Sequence, residues 1–164
     1  MERCAALPET EVFLKKLRHQ SEQIDELVSS FRPLLDTVNI REPDLVELSA
    51  LATVLHSFYG GVENIFTTIG KYVDNRLPSS PQWHKDLLQQ MSRLSKNRTV
   101  IVSEELYPVL IGYLSFRHFF RNSYAYQLDW DQMGPLVGSM VETWEEIKKS
   151  LTQFFITEES GGPI

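Results

Sequence analysis

Cysteine is nearly absent: Cys4 is the only one in 164 residues. That excludes an intramolecular disulfide and a zinc site built on four thiolates of one chain. Long apolar runs are also scarce. No window is read as approaching the ~20 apolar residues that a membrane span needs. The opening "MERCAALPETEVF" lacks the apolar stretch of a secretory leader. A cytoplasmic protein with no membrane partner is therefore expected. Positive charge is the minority sign, with 16 Lys and Arg against 22 Asp and Glu and a net charge of -6. Such a chain is a poor generic binder of nucleic acid, so phosphate chemistry would need a local basic patch. Metal-ligand spacing is missing too. His19, His56, His84 and His118 lie far apart, none sits in HExxH, and none follows a glutamate by three. There is no P-loop and no GxGxxG. No metal and no cofactor are expected.

Helical periodicity fills what remains. From Pro8 to about Val38, Leu14, Leu17, Ile24, Leu27, Phe31, Leu34 and Val38 recur at steps near three and four. Pro33 should kink or split that helix. A second helix runs from Leu45 to Tyr72 and is stopped by "NRLPSSP". Gly60 and Gly61 in its middle each cost about 1 kcal/mol relative to Ala, and permit a close helix approach or a bend. A third helix should begin after Ser80 with Pro81 at its first position. The segment "SKNRTVIV" (95–102) reads as a basic, β-branched connector, with "TVIV" as a possible strand. Ser103 is an N-cap for a fourth helix with the stripe Leu106, Val109, Leu110, Tyr113, Phe116 and Phe120. Asp129 and Gln132 resemble a capping box opening the last helix. Residues 157–164 read as a frayed tail. The fold expected is all-α, an up-and-down bundle of about five helices in a single domain over 1–164, its core about 10–156.

The polar residues are concentrated in "FRHFFRNSYAYQLDW", Phe116 to Trp130. Continued as a helix, this stretch aligns Arg117, Arg121 and Tyr124 along one line and stacks His118 with Asn122 on an adjacent face. Two guanidiniums on one face suit a phosphate, and an imidazole moves protons near neutral pH. The alternative is that both arginines pair with acids such as Glu104, Glu105 or Asp129. Elsewhere, His56, Tyr59 and Glu63 read as a polar flank of the second helix or as groups facing a cleft. Trp83 and His84 read as a boundary aromatic and a surface histidine.

From about residue 10 to 156 the chain resembles the HEPN superfamily, specifically the HepT-like ribonuclease toxins. The resemblance is carried by "VLHSFYGGVENIF" (54–66), "LPSSPQWHKDLLQQM" (77–91), "SEEL" (103–106) and above all "FRHFFRNSYAYQLDW". The family motif is Arg, four residues, His, any residue, Tyr, often with Asn after the Arg. Arg117 and Tyr124 match its ends. Asn122 occupies the histidine position and His118 the position after the arginine. A second register starts at Arg121-Asn122 and puts Tyr126 where the histidine belongs.

The resemblance implies a helical bundle that dimerises and a metal-independent endoribonuclease whose two motif copies form one cleft. Arg117, His118, Asn122 and Tyr124 would be its catalytic residues, with Arg121 and Tyr126 binding substrate. It also implies a toxin–antitoxin pair in which an MNT-type nucleotidyltransferase antitoxin adds AMP to Tyr124. The alternative implication is an inactive HEPN module that binds a nucleotide, RNA or a partner protein, since asparagine cannot exchange a proton near pH 7.

Overall fold

The structure is a computed structural model. It describes the backbone of residues 8–159 and the side chains of 9–156. Five helices follow one another: α1 Pro8–Val38, α2 Leu45–Tyr72, α3 Trp83–Met91, α4 Leu106–Phe120 and α5 Trp130–Glu159, with a 3₁₀ turn at Ala125–Gln127. The only β pairing among the described residues is an isolated bridge between Ser95 and Arg98, so "TVIV" is not a strand. The all-α bundle expected from periodicity is the observed architecture.

The centre of the bundle is α2, which touches each of the other four helices and the 3₁₀ turn. Leu51, Leu55, Phe58, Val62, Ile65 and Ile69 are all buried along it. Each such side chain contributes about 1.5–3 kcal/mol by leaving water. A helix surrounded in this way must be apolar on several faces. By length and composition α2 is therefore long and apolar enough to cross a membrane. This corrects the expectation that no window comes near that limit. The apolar faces that raise its hydropathy are those packed against the other helices.

Two neighbouring glycines let α2 sit this close. A Cβ on Gly61 would lie 2.9 Å from Ile24 Cγ1 of α1, and one on Gly60 would lie 3.0 Å from Arg117 Nη1 of α4. Both serve close approach. Asp44 and Glu47 open α2 with a reciprocal capping box, and Arg41 grips the Glu47 carboxylate through both oxygens at 2.7 and 2.6 Å. At the far end Asn75 takes a positive φ of 50° and Arg76 N–H donates to Gly70 O, which closes the helix.

Several boundaries differ from the reading of the sequence. α1 runs unbroken through Pro33. The carbonyl that Pro33 leaves unbonded belongs to Ser29; both residues are exposed, so water can satisfy it. α3 starts at Trp83, because Ser80 to Trp83 first form a turn in which Ser80 O accepts the Trp83 N–H. Ser103 does cap α4, accepting the Leu106 N–H on its hydroxyl at 3.2 Å. Asp129 caps α5 through the N–H of Asp131 at 3.0 Å. α5 continues helically to Glu159, so the tail does not fray at 157. Residues 160–164 of that predicted tail lie outside the described residues.

The "SKNRTVIV" connector is built around a buried ion pair. Arg98 is 1% exposed. Its Nε and Nη2 donate to the two oxygens of Asp74 at 2.8 and 2.7 Å, Nη2 also to Gln90 O, and Nη1 to Arg93 O and Thr99 O. All five of its N–H donors are used. Ile101 and Val102 then enter the core, both donating backbone N–H groups to Met91 O.

Candidate active site

A carboxylate in the middle of a core helix needs a partner, because an ion there loses its water. Glu63 on α2 is 5% exposed. Its Oε2 meets His84 Nδ1 of α3 at 2.6 Å, and its Oε1 lies 3.6 Å from Arg117 Nη2 of α4. Glu63 thus joins three helices. The carboxylate accepts, so Nδ1 of His84 carries the hydrogen and Nε2 is the nitrogen left over. The His84 ring is stacked on Trp83 at 3.6 Å between centroids and meets the His118 ring edge-on at 5.5 Å.

Arg117 is half-buried. Among the described residues Glu63 is its one ionic partner, at a distance too long for a hydrogen bond. The acids considered from sequence, Glu104, Glu105 and Asp129, do not pair with it or with Arg121. Its guanidinium occupies the space that Gly60 leaves open. One turn from Gly60, His56 packs on Phe120 at 5.2 Å, and its Nδ1 is buried with no hydrogen-bond partner. Burial, then the charges of Arg117 and Arg121, push its imidazole below the usual histidine value. Burial likewise pushes the Tyr59 phenol up, and the nearby Glu63 charge adds to this. Tyr59 stays a neutral core side chain.

The polar stretch after Arg117 does not continue as a helix. α4 ends at Phe120, where Asn122 Nδ2 donates to His118 O at 3.2 Å and Ser123 Oγ to Phe120 O at 3.3 Å. These side chains take carbonyls that another helical turn would have used. Arg117 and Arg121 keep their one-turn spacing. Tyr124 leaves the predicted line: its backbone is extended, at φ −96° and ψ 153°. Asn122 meets the backbone of His118 rather than its imidazole. Beyond the helix, the Tyr124 and Tyr126 rings are parallel within 7° at 5.8 Å, and both are largely exposed. His118, Arg121 and Asn122 are exposed as well. Tyr113, expected to extend the Arg117 line, is in the core, its hydroxyl donating to Leu136 O of α5.

A family model described as HepT-like protein matches residues 50–157, a span that holds every residue of this cluster. The chain belongs to the HepT-like family. No curated protein and no solved structure matches it. Within the matched span, Arg117 of α4 faces Glu63 of α2 across 3.6 Å. Sequence reasoning noted Glu63 and His84 but left both out of the site. His84, read as a surface histidine, is a half-buried partner of Glu63. The available signal was the carboxylate itself, set between Val62, Ile65 and Phe66 on a core helix.

Proposed function

We propose that this chain is a metal-independent endoribonuclease, acting as a cytoplasmic homodimer and as the toxin of a toxin–antitoxin pair. Arg117 carries the reading: a half-buried guanidinium that shares the Glu63 carboxylate with the His84 imidazole, with most of its N–H donors unspent on protein. Such a fork takes two phosphate oxygens and stabilises the charge that grows on them during displacement. His118, exposed at the end of α4, moves a proton. Arg121 adds a second cation, and Asn122 and Tyr126 orient ribose or base. The exposed Tyr124 phenol is open to an MNT-type nucleotidyltransferase partner that would attach AMP and silence the site.

The test uses purified chain, shown to be dimeric by light scattering, and end-labelled single-stranded RNA in chelator. Fragments ending in 2′,3′-cyclic phosphate are expected, with cleavage lost in Arg117→Ala and reduced in His118→Ala. Uncut RNA in the presence of a verified dimer overturns the reading. A second reading, a binding module without turnover, is favoured by Asn122, whose amide is turned onto a backbone carbonyl and cannot exchange a proton. It predicts RNA or nucleotide binding that Arg117→Ala abolishes, with no product.

A further inference from the structure

A single exposed histidine gives phosphodiester cleavage only half of its proton chemistry. Attack by a 2′-hydroxyl needs a base for the proton it loses, and departure of the 5′-oxygen needs an acid. The end of α4 supplies His118. A second imidazole, His84 on a different helix, meets it 5.5 Å away between centroids and perpendicular to it. The two imidazoles line one cleft between α3 and α4, of about 330 Å³. Lys85 and Ser115 also line it, over an apolar floor of Ile111 and Leu114. The Ser115 hydroxyl and the apolar floor are available to ribose and base, and Arg117 is linked to the cleft through Glu63, which bonds His84.

His84 is held more firmly than a merely surface-packed ring. Glu63 fixes its Nδ1, the Trp83 ring covers one face, and among the described residues the ring's one hydrogen bond is that of Nδ1. This is how a general base is set: one nitrogen tied to a carboxylate, the other left with its lone pair. A buried carboxylate cluster is a weak way to add stability, since apolar side chains of similar volume do as well or better. Positioning a reactive nitrogen is a use that apolar side chains cannot supply.

We propose that His84 is the general base of this site, paired with His118 as general acid, and that Glu63 is its positioning residue. The inference rests on the ribonuclease reading. His84 Nε2 takes the 2′-hydroxyl proton, and the 2′-oxygen bonds to phosphorus. The bond from phosphorus to the 5′-oxygen breaks, and that oxygen takes a proton from the His118 imidazolium. The products are a 2′,3′-cyclic phosphate and a 5′-hydroxyl. Both protons are accounted for, and nothing is oxidised or reduced.

The experiment compares an RNA oligonucleotide with the same oligonucleotide carrying sulfur in place of the bridging 5′-oxygen. A thiolate leaves without help from an acid, so this substrate needs the base only. His84→Asn keeps an N–H donor for Glu63 but removes the basic nitrogen. It is expected to lose about 10²–10⁴-fold on both substrates, with its melting temperature close to wild type. His118→Ala should lose a similar factor on the oxygen substrate and recover on the sulfur one. Cleavage by His84→Asn within about threefold of wild type, or its rescue by sulfur to the extent seen for His118→Ala, overturns the pairing while leaving the ribonuclease reading intact. A wild-type dimer that cleaves neither substrate removes both.

Histidine-selective NMR on the unaltered chain needs no variant to fold. It should show the Nδ1–H tautomer at His84, and ring signals of both His84 and His118 that shift with a non-cleavable 2′-deoxy dinucleotide. A His84 ring that stays still while His118 shifts also overturns the assignment.

Discussion

Arg98 and Arg117 are both held by a carboxylate from α2 or the residues just after it, yet they are opposite kinds of site. Arg98 is almost wholly buried and spends five N–H donors on Asp74 and three carbonyls. Arg117 stands 3.6 Å from Glu63, which already has a closer partner in His84. The first arginine is finished by the protein; the second is left with capacity for something else. Burial of a cation therefore says little about function until its donors are counted. A saturated guanidinium is a fastening, and an unsaturated one beside titratable rings is a candidate for chemistry.

The largest test of this contrast removes the saturated arginine. Arg98→Ala leaves the Asp74 charge without its cation, with only the Gln90 amide as a side-chain partner, and should cost about 3–5 kcal/mol in chemical denaturation. A loss near zero would mean that the Asp74 carboxylate finds water, and the fastening role would fall. Arg117→Ala should cost no more than about 1 kcal/mol, because His84 keeps Glu63 satisfied, even though cleavage disappears. Equal losses from the two variants would erase the distinction.

The neighbouring glycines sharpen it further. Gly61→Ala pushes a methyl into the buried Ile24 side chain, and overpacking of about 1–3 kcal/mol outweighs a helix gain of about 1 kcal/mol. Gly60→Ala meets only the end of the Arg117 side chain, which can give way. Stability should hold or rise slightly, while displacement of the guanidinium lowers cleavage by about 10–100-fold. Urea midpoints and cleavage rates on the same two proteins decide the matter.

The smallest effect concerns a third arginine, Arg41, whose fork on Glu47 is as short as that of Arg98 but lies in solvent. The Arg41 hydrogen bond, with the Asp44 N–H behind it, pulls the Glu47 carboxyl down to about 2. Its folded value lies below its unfolded one. The contribution is therefore present above about 4.5 and is lost as pH falls toward 2. NMR titration of Glu47 should show the low value, and Arg41→Ala should return it to the ordinary range with a far smaller midpoint change than Arg98→Ala. Titration of wild-type Glu47 near 4.5 would dissolve the fork.

Most of the scaffold was legible because it is periodic. α1 and α2 match their predicted bounds, fixed by stripes at steps of three and four, although α1 passes through Pro33 without the expected break. What escaped was non-local or rested on side-chain capping. Glu63 and His84 are 21 positions apart, and no spacing rule connects them. Arg98 looked like one more basic residue in a connector. The end of α4 was read through because no glycine or proline marks it; Asn122 and Ser123 stop it with their own side chains. Short polar residues after an apolar run carry that signal. The family, read in the sequence as a resemblance over about 10–156, is shown by the HepT-like match over residues 50–157. The proposed base was harder to find, because its ring is on another helix.

The position of α2 has a consequence for the order in which the molecule opens. The amide protons of its central turns are enclosed by the other helices, so they should exchange with deuterium only when the whole domain unfolds. Gly60 and Glu63 belong to that slowest-exchanging set. The amides from Arg121 to Tyr126, beyond the end of α4, should exchange through local opening, orders of magnitude sooner. One wall of the cluster is as durable as the protein itself, and the other can be remodelled without unfolding it.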